Sequence, residues 1–290
     1  MALPAIAPYP LPAPDELPAN RVSWTVDPTR AVLLVHDLQQ HFLSAFPSGE
    51  QPLTGMLGNT ARLLKEYRRI GVPAVYSAQR GGQTPEERGL QLDFWGPGAA
   101  DDAEALAVPE SVAPEPGDTV LTKWKYSAFV RTDLAELLRE TGRDQLVITG
   151  VYAHIGVLMT AADAWQRDLR AFVVADAVAD FSREDHDTAL RWAAGRCAVV
   201  TTTDALLKDV CAMAPAPLTV DRIRADVADC LGEDPADIPV DESLLDYGLD
   251  SVRVMTLLER WRREHAVTAG FADLAERPAI DAWAPLLGAV

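Results

Sequence analysis

The chain has 290 residues, of which 48% are hydrophobic and 24% are charged, so it is long enough for one large domain or two smaller ones. Its formal charge of −17 gives an acidic surface that repels phosphate backbones, which excludes nucleic acid as an expected partner. No apolar run reaches the roughly 18 residues that a membrane span needs, so no membrane partner is expected.

Residues 1–19 carry prolines at positions 4, 8, 10, 12, 14 and 18. This segment lacks a basic region and an unbroken apolar core, so it is not expected to be a signal peptide. The prolines favour an extended arm laid over a surface, or a disordered one. Cys197, Cys211 and Cys230 show neither zinc-site spacing nor disulfide density, and a reducing cytoplasm is the expected location.

Residues 20–210 alternate the patterns of strands and helices. Strands such as AVLLV at 31–35 are continuously apolar, as strands buried on both faces are. The alternation predicts an α/β fold with a parallel, Rossmann-like sheet covered on both faces, whose ligands gather at the carboxyl ends of the strands. The predicted strands are 31–35, 72–78, 119–122, 145–149, 171–175 and 198–202, and the predicted helices are 59–70, 134–140, 156–168 and 184–194.

The pattern changes after Leu207. Residues 211–217 are rich in Ala and Pro and read as a linker. Residues 218–290 show only helical patterns, which predict a small four-helix domain with helices at 220–231, 251–265, 271–276 and 280–287. In the second of these helices, one apolar face is expected to contain Val252, Met255, Leu258 and Trp261.

The stretch GLDS, at positions 248–251, opens that second helix. Asp250 and Ser251 are both good N-cap residues, so a structural role is one interpretation. The domain also resembles an acyl or peptidyl carrier domain, in GLDS, in the preceding ESLLDYG and in the following VRVMTLLE. The resemblance implies that a phosphopantetheinyl transferase attaches 4′-phosphopantetheine to Ser251. A helix N-terminus suits this role because the helix dipole favours an incoming phosphate.

Polar residues follow the predicted strands of the larger domain. Asp37, in VHDLQQHF, comes directly after the first strand, where it lines a site or caps a helix. Lys123, in LTKWKYSAF, comes after the third strand, where a surface lysine is the other interpretation. In TGVYAHIGVLMTAADA a helix begins near Gly156 and leaves free backbone N–H groups for an anion. The polar loop 77–98, which ends in FWGPG, is expected to wall a site.

These segments resemble the isochorismatase-like hydrolases, a superfamily that includes cysteine amidases with an Asp, Lys and Cys triad. Asp37 and Lys123 match, but Gly156 stands where the amidases have their cysteine. Without a thiol no acyl-enzyme can form, which disfavours an amidase. The metal-binding histidines of nicotinamidases have no counterpart in YSAQRGG, so no metal is expected. KWKYSAF and GVYAHIG look like the true isochorismatase branch, and the domain order resembles the bifunctional isochorismatase/aryl carrier proteins of catechol siderophore assembly.

The resemblance implies hydrolysis of the enol ether of isochorismate to pyruvate and 2,3-dihydro-2,3-dihydroxybenzoate. It also implies that 2,3-dihydroxybenzoate is carried as a thioester on the second domain. It assigns Asp37 as the general acid and Lys123 as a group shared between Asp37 and the substrate, and it lets the Gly156 amide bind a carboxylate. The expected substrate contacts are Gln79, Arg88 and Tyr152. The guanidinium of Arg88 can bind a carboxylate with two hydrogen bonds.

The resemblance further implies a homodimer, and partners that dock near Val252 and Met255. These partners are an aryl-activating adenylation enzyme, a condensation-domain synthetase and the transferase. A cis peptide is expected at Val151–Tyr152. The aromatic residues that wall the pocket or fill the core are expected to be Trp95, Trp124 and Phe129. The histidines lack ligand spacing and are interpreted as structural: His36, His41, His154, His186 and His265.

Three alternatives stay open at this point. The hydrolase half could be inert, leaving a carrier and docking protein. The enzyme could act on 2-amino-2-deoxyisochorismate, as in phenazine pathways. An amidase is the third alternative.

Overall fold

The computed structural model describes residues 3–213, 218–265, 267 and 269–289. The chain divides into two compact units, Met1–Ala212 and Met213–Val290. None of the helices in the described part combines the length and the apolar composition that a membrane crossing requires.

A six-stranded parallel sheet forms the centre of the first unit, which confirms the predicted fold class. The strands are β1 (Ala31–His36), β2 (Ala74–Gln79), β3 (Thr119–Lys123), β4 (Gln145–Val151), β5 (Arg170–Ala179) and β6 (Ala198–Thr201). They lie in the order β3-β2-β1-β4-β5-β6. The strand order therefore reverses between β1 and β4, the position at which such sheets open a crevice for ligands.

Helices cover both faces of this sheet. The four long helical patterns of the sequence are present, but the one expected from residue 156 begins later, because Ala153–Val157 forms a π-helical turn. The short helices were not predicted, since four or five residues are too few to show a period, and the eleven-residue helix Thr203–Met213 was missed as well. The helices are α1 (Gln40–Leu43), α2 (Leu53–Arg69), α3 (Pro85–Arg88), α4 (Gln91–Trp95), α5 (Ala103–Leu106), α6 (Leu134–Glu140), α7 (Leu158–Gln166), α8 (Arg183–Arg196) and α9 (Thr203–Met213).

The first strand shows why its sequence is continuously apolar. Leu33 and Val35 belong to a core cluster on one face of the sheet, which includes residues of α2. Val32 and Leu34 belong to a cluster on the other face, with residues of α6, α7 and α8. All four side chains are fully buried, so neither face of β1 tolerates a polar residue.

The N-terminal arm is extended and packs on the first unit, which is the first of the two expected alternatives. Ile6 and Tyr9 are buried, and the Ile6 N–H donates to the Ala45 carbonyl at 2.9 Å. The Tyr9 hydroxyl accepts a hydrogen bond from the Asp180 N–H at 2.7 Å. The arm is thereby tied to the residue that follows β5.

The second unit contains helices at the predicted positions. Its core includes Trp261 and Trp283, whose rings meet edge to face with centroids 6.0 Å apart. Of the four residues expected on one apolar face of the second helix, Leu258 and Trp261 are buried, whereas Val252 and Met255 are exposed. Val254 and Leu257, which were not assigned to that face, are buried as well. The helices are α10 (Val220–Leu231), α11 (Ser251–His265), α12 (Phe271–Glu276) and α13 (Ile280–Leu286).

The expected linker overlaps a helix. Because α9 ends at Met213, residues 211–213 are helical rather than part of a linker. Residues 214–217 and the side chain of Cys211 lie outside the described residues. The domain limits 1–19, 20–210, 211–217 and 218–290 otherwise stay predictions.

Candidate active site

Asp37 and Lys123 form a buried ion pair at the carboxyl end of the sheet. Lys123 Nζ lies 2.7 Å from Asp37 Oδ2. Asp37 is 4% exposed and Lys123 is 2% exposed, so water screens the pair little. The strand order explains why these two side chains are close. Asp37 follows β1 and Lys123 ends β3, and only β2 lies between these strands. The two strand-end residues that the sequence singled out are therefore neighbours in space.

Two further residues near this pair were not predicted, Ser77 within β2 and Gln39 in the segment after β1. Ser77 of β2 donates from its hydroxyl to Asp37 Oδ1 at 2.8 Å, and its carbonyl accepts from the Asp37 N–H at 3.1 Å. Gln39 bridges to the backbone of Gln79, accepting from its N–H at 2.7 Å and donating to its carbonyl at 2.9 Å. Asp37 itself has a positive φ of 53°, a conformation that these contacts stabilise. A search for polar residues in the second half of each strand would have found Ser77.

Gly156 faces the ring of His36. A Cβ atom placed on Gly156 would lie 2.2 Å from His36 Cε1, so no side chain fits there while the ring keeps its place. His36 Nδ1 lies 2.9 Å from the Val151 carbonyl, which can only accept, so Nδ1 carries the proton. Burial lowers the pKa of His36 to about 4, and the ring is therefore neutral at pH 7. Its contact with Asp37 Oδ2 at 3.7 Å is then not an ion pair.

One cavity of about 570 Å³, its open mouth included, brings all the predicted site residues of the first unit together. The sequence missed seven of its other lining residues, and His41, interpreted as structural, also faces it. The predicted residues in its wall are Asp37, Gln79, Arg88, Lys123, Tyr152 and Gly156. The residues that were missed are Leu3, Phe42, Gln91, Tyr126, Val151, Ile155 and Phe181.

Arg88 places a cation in the cavity wall without an acidic partner. The side chain is 3% exposed, its Nε donates to the Gly96 carbonyl at 3.0 Å, and an Nη donates to Gln79 Oε1 at 3.2 Å. No ion pair joins it to a carboxylate of any residue that the structure describes. Burial lowers the pKa of Arg88, which records the cost of leaving this charge unpaired. An anionic ligand would relieve that cost.

Aromatic rings form the apolar side of the cavity. The Tyr152 and Phe181 rings lie 4.2 Å apart, and the Trp95 ring lies 6.0 Å from Phe181. The Tyr152 hydroxyl donates to the Phe42 carbonyl at 2.7 Å, and burial raises its pKa. Trp95 lines the cavity as expected, whereas Trp124 and Phe129 do not, and Phe129 packs in the core beneath the guanidinium of Arg167.

The turn after β4 has the expected cis peptide between Val151 and Tyr152. Asp180, which is fully buried, holds this turn by accepting from the His154 N–H and from His154 Nδ1, both at 2.6 Å. These bonds to Asp180 raise the pKa of His154. His154 is not part of the cavity wall, so its structural interpretation agrees with its position.

In the second unit, Ser251 begins α11 with an exposed side chain. The helix cap is supplied by Asp250, whose Oδ1 accepts from the Arg253 N–H at 2.9 Å. The Ser251 hydroxyl is therefore free of the capping role, and Val252 beside it is 73% exposed. A reachable hydroxyl at a helix N-terminus, beside exposed apolar side chains, fits a covalently attached phosphopantetheine arm.

Two family models match the chain. The isochorismatase domain matches residues 31–205, and the phosphopantetheine attachment site matches residues 221–287. The chain belongs to the isochorismatase family and carries a phosphopantetheine attachment domain after the hydrolase domain. Phosphopantetheine is thereby its covalent cofactor. Among the described residues, no three or more His, Cys, Asp or Glu side chains are grouped to hold a metal ion.

Relatives match over one or both units. The isochorismatase of Bacillus subtilis (strain 168) is 50% identical over 300 aligned positions, covering 99% of this chain and 96% of its own length. Enterobactin synthase component B of Escherichia coli (strain K12) is 43% identical over 288 positions, covering 99% and 98%. Phenazine biosynthesis protein PhzD of Pseudomonas fluorescens is 50% identical over 202 positions, covering 70% of this chain and 97% of its own length.

Proposed function

We propose that the first unit hydrolyses the enol ether of isochorismate, giving pyruvate and 2,3-dihydro-2,3-dihydroxybenzoate. The observation that carries the proposal is the buried Asp37–Lys123 pair, which shares one cavity with a position 156 that has no side chain. An acid and a cation are present at the site, while the thiol that an amidase needs is absent from it. The amidase alternative is therefore disfavoured on geometry as well as on sequence.

Asp37 acts as the general acid in its protonated form. The ion pair with Lys123 belongs to the free enzyme, and the approach of the two substrate carboxylates favours uptake of a proton by Asp37. It delivers a proton to the terminal methylene carbon of the enolpyruvyl group, and the electron pair of the double bond forms the new C–H bond. Water adds to the resulting oxocarbenium carbon, and the hemiketal collapses by breaking the bond to the ring oxygen, which takes up a proton. Lys123, which donates to Asp37 at 2.7 Å, orients the acid and stabilises negative charge on it after proton transfer.

Arg88 holds a carboxylate of the substrate. The buried guanidinium has no acidic partner among the described side chains, and the substrate is a dianion. Gln79, which accepts a bond from Arg88, keeps the guanidinium in position, and its own amide faces the same cavity. Tyr152 contributes an aromatic surface, since its hydroxyl is engaged with Phe42. The Gly156 amide binds a second carboxylate.

Ser251 is the attachment point of the second unit. Its exposed hydroxyl loses its proton and attacks the phosphorus of coenzyme A that bears pantetheine, which forms a Ser–O–P bond, breaks the pyrophosphate P–O bond and releases 3′,5′-adenosine bisphosphate. When bound, the phosphopantetheine group supplies a terminal thiol that holds an aryl acid, 2,3-dihydroxybenzoate, as a thioester. Val252 and Met255, both exposed, form the surface on which partners dock.

These partners are a phosphopantetheinyl transferase, an aryl-activating adenylation enzyme and a condensation-domain synthetase of siderophore assembly. The whole-length likeness to enterobactin synthase component B supports this context. A homodimer and a location in the cytoplasm complete the proposal.

A second candidate substrate is 2-amino-2-deoxyisochorismate, supported by the 50% identity to a phenazine biosynthesis protein across the hydrolase unit. Measuring pyruvate release from each substrate decides between the two. We expect a higher kcat/KM with isochorismate. A preference for the amino analogue would reverse the assignment, and no pyruvate from either would indicate an inert hydrolase half.

A further inference from the structure

The short helix α4 turns the polar Gln91 inward, while the apolar Phe94 of the same helix and Leu90 just before it point outward. Gln91, its first residue, is 7% exposed, whereas Leu90 beside it is 77% exposed and Phe94 is 69% exposed. Burial of apolar area alone would favour the opposite orientation. Some other requirement therefore keeps a glutamine inside.

The side-chain amide of Gln91 has no hydrogen-bond partner among the residues that the structure describes. Its Oε1 is buried without a hydrogen bond, and no bond joins its amide to another described residue. Buried polar groups are nearly always paired, so an unpaired amide in a cavity wall points to a partner that arrives with a ligand. Gln91 lines the same cavity as Asp37 and Arg88.

The other polar groups of the cavity already match features of an isochorismate-type substrate. The Asp37–Lys123 pair serves the enol ether, and the unpaired Arg88 cation serves a carboxylate. The Tyr152 hydroxyl donates to the Phe42 carbonyl, and the Tyr126 hydroxyl accepts from Trp95 Nε1, at 2.7 Å in each case, so only Tyr126 keeps a proton that this bond does not use. The feature of the substrate that is left is the ring hydroxyl next to the ether, which both donates and accepts.

We propose that the Gln91 amide recognises this ring hydroxyl and is a specificity-determining residue of the hydrolase. An amide suits the task because it presents an acceptor oxygen and a donor nitrogen on one short side chain. This role of Gln91 rests on the proposed function, since it assumes isochorismate as the substrate. It adds the side chain that binds the ring hydroxyl.

The test compares isochorismate with an analogue that has hydrogen in place of this hydroxyl. Gln91→Leu should lower kcat/KM about three- to tenfold for isochorismate, the value of one neutral hydrogen bond, and leave the analogue unaffected. Its melting temperature should be no lower than that of the unmodified protein, since the change removes an unpaired buried amide. An equal loss on both substrates, or no loss on isochorismate, overturns the proposal.

Gln83 offers a matched control. Its amide is also buried and unpaired, but it is not part of the cavity wall. Gln83→Leu should leave the ratio of kcat/KM between the two substrates unchanged. Gln91→Met, which keeps an unbranched chain without the amide, serves if the leucine variant does not fold.

Binding separates this proposal from the proposed function. Calorimetry measures Kd for 2,3-dihydro-2,3-dihydroxybenzoate and for the form lacking the same hydroxyl. A protein that releases no pyruvate from isochorismate fails the proposed function, yet a hydroxyl preference that disappears in Gln91→Leu still supports the role of Gln91. If the unmodified protein binds both compounds equally, or neither, the role of Gln91 is refuted.

Discussion

The imidazole of His36 occupies the space that a side chain at position 156 would need. A Cβ there would approach His36 Cε1 to 2.2 Å and Nε2 to 3.0 Å. The ring cannot turn away without losing its bond to the Val151 carbonyl at 2.9 Å and its contact with Thr160 Oγ1 at 3.3 Å. The histidine before Asp37 and the glycine after β4 therefore depend on each other.

Gly156→Ala is expected to destabilise the protein by about 1–3 kcal/mol, the usual cost of overpacking. It should also lower pyruvate release, because the displaced ring adjoins Asp37. Combining it with His36→Ala should recover part of the stability lost by Gly156→Ala, which denaturant unfolding measures. Gly195→Ala is the control, since no atom lies within 4 Å of the added Cβ. Additive losses in the double variant would refute the dependence.

Asp37→Asn removes the proposed acid and keeps its shape. We expect kcat for pyruvate release to fall by about 10² or more, the contribution of general acid catalysis. Circular dichroism must show a folded variant, because breaking a buried ion pair costs about 3–5 kcal/mol. Asp187→Asn, which alters a partly exposed pair with Arg183, should keep normal turnover. Near-normal activity of a folded Asp37→Asn protein would exclude the proposed acid.

Arg88→Lys tests the proposed contact between the guanidinium and a carboxylate of the substrate. A lysine keeps the charge but loses the planar fork that bonds Gly96 and Gln79 at once. KM should rise about tenfold or more, with a smaller change in kcat, since a charge-assisted bond contributes about 1.5–3 kcal/mol. Arg80→Lys, on an exposed side chain that pairs with Glu87, is the matched control. An unchanged KM in Arg88→Lys would argue against this contact.

Ser251→Ala should abolish phosphopantetheine attachment. The protein is incubated with coenzyme A and a transferase, and its intact mass is then measured. The mass of one phosphopantetheine group should be added to the protein that keeps Ser251, and none to the variant. Helicity should be preserved, because Asp250 rather than Ser251 caps α11. Ser243→Ala, eight positions earlier, should be modified normally. Modification that persists in Ser251→Ala would place the arm elsewhere.

Acid is expected to destabilise the first unit through two buried histidines. Burial lowers the pKa of His36 and of His186 from 6.5 to about 4 in the folded chain. Between these values the unfolded chain binds protons that the folded chain does not, so stability is full above pH 6.5 and is lost as the pH falls towards 4. Each histidine contributes up to about 3 kcal/mol to the free energy of unfolding at neutral pH.

Denaturant unfolding of the full chain at pH 5 and pH 7 measures this slope. His186→Gln should flatten it, because the remaining contribution is that of His36. His154 acts in the opposite direction, since its pKa is raised by Asp180 and its contribution is lost as the pH rises. An undiminished slope in His186→Gln would show that His186 does not titrate between the two states.

The sequence predicted the elements of the sheet well because their signals are local. The run AVLLV marks β1, which is buried on both faces, and it needs no knowledge of its neighbours. Asp37 and Lys123 were found for the same reason, since Asp37 directly follows β1 and Lys123 is the last residue of β3. Short elements such as α4 gave no signal, and with them Gln91 was missed.

The two faces of α11 show where local pattern fails. Val252 and Val254 are alike as residues, yet the first is 73% exposed and the second is 4% exposed. Which of them packs against the other helices depends on how α11 is rotated in its unit. The sequence period allowed either choice.

By itself, the sequence determined the type and order of the elements, the strand-end positions of Asp37 and Lys123, and the absence of a thiol at position 156. Tertiary structure alone decided that Lys123 reaches Asp37 across β2, that the His36 ring fills the space beside Gly156, and that the amide of Gln91 points inward with no hydrogen bond to a described residue. Residue type and the spacing of apolar residues are local signals, because they relate residues that are close together in the chain. Contacts between residues far apart exist only after strand order and helix rotation bring them together.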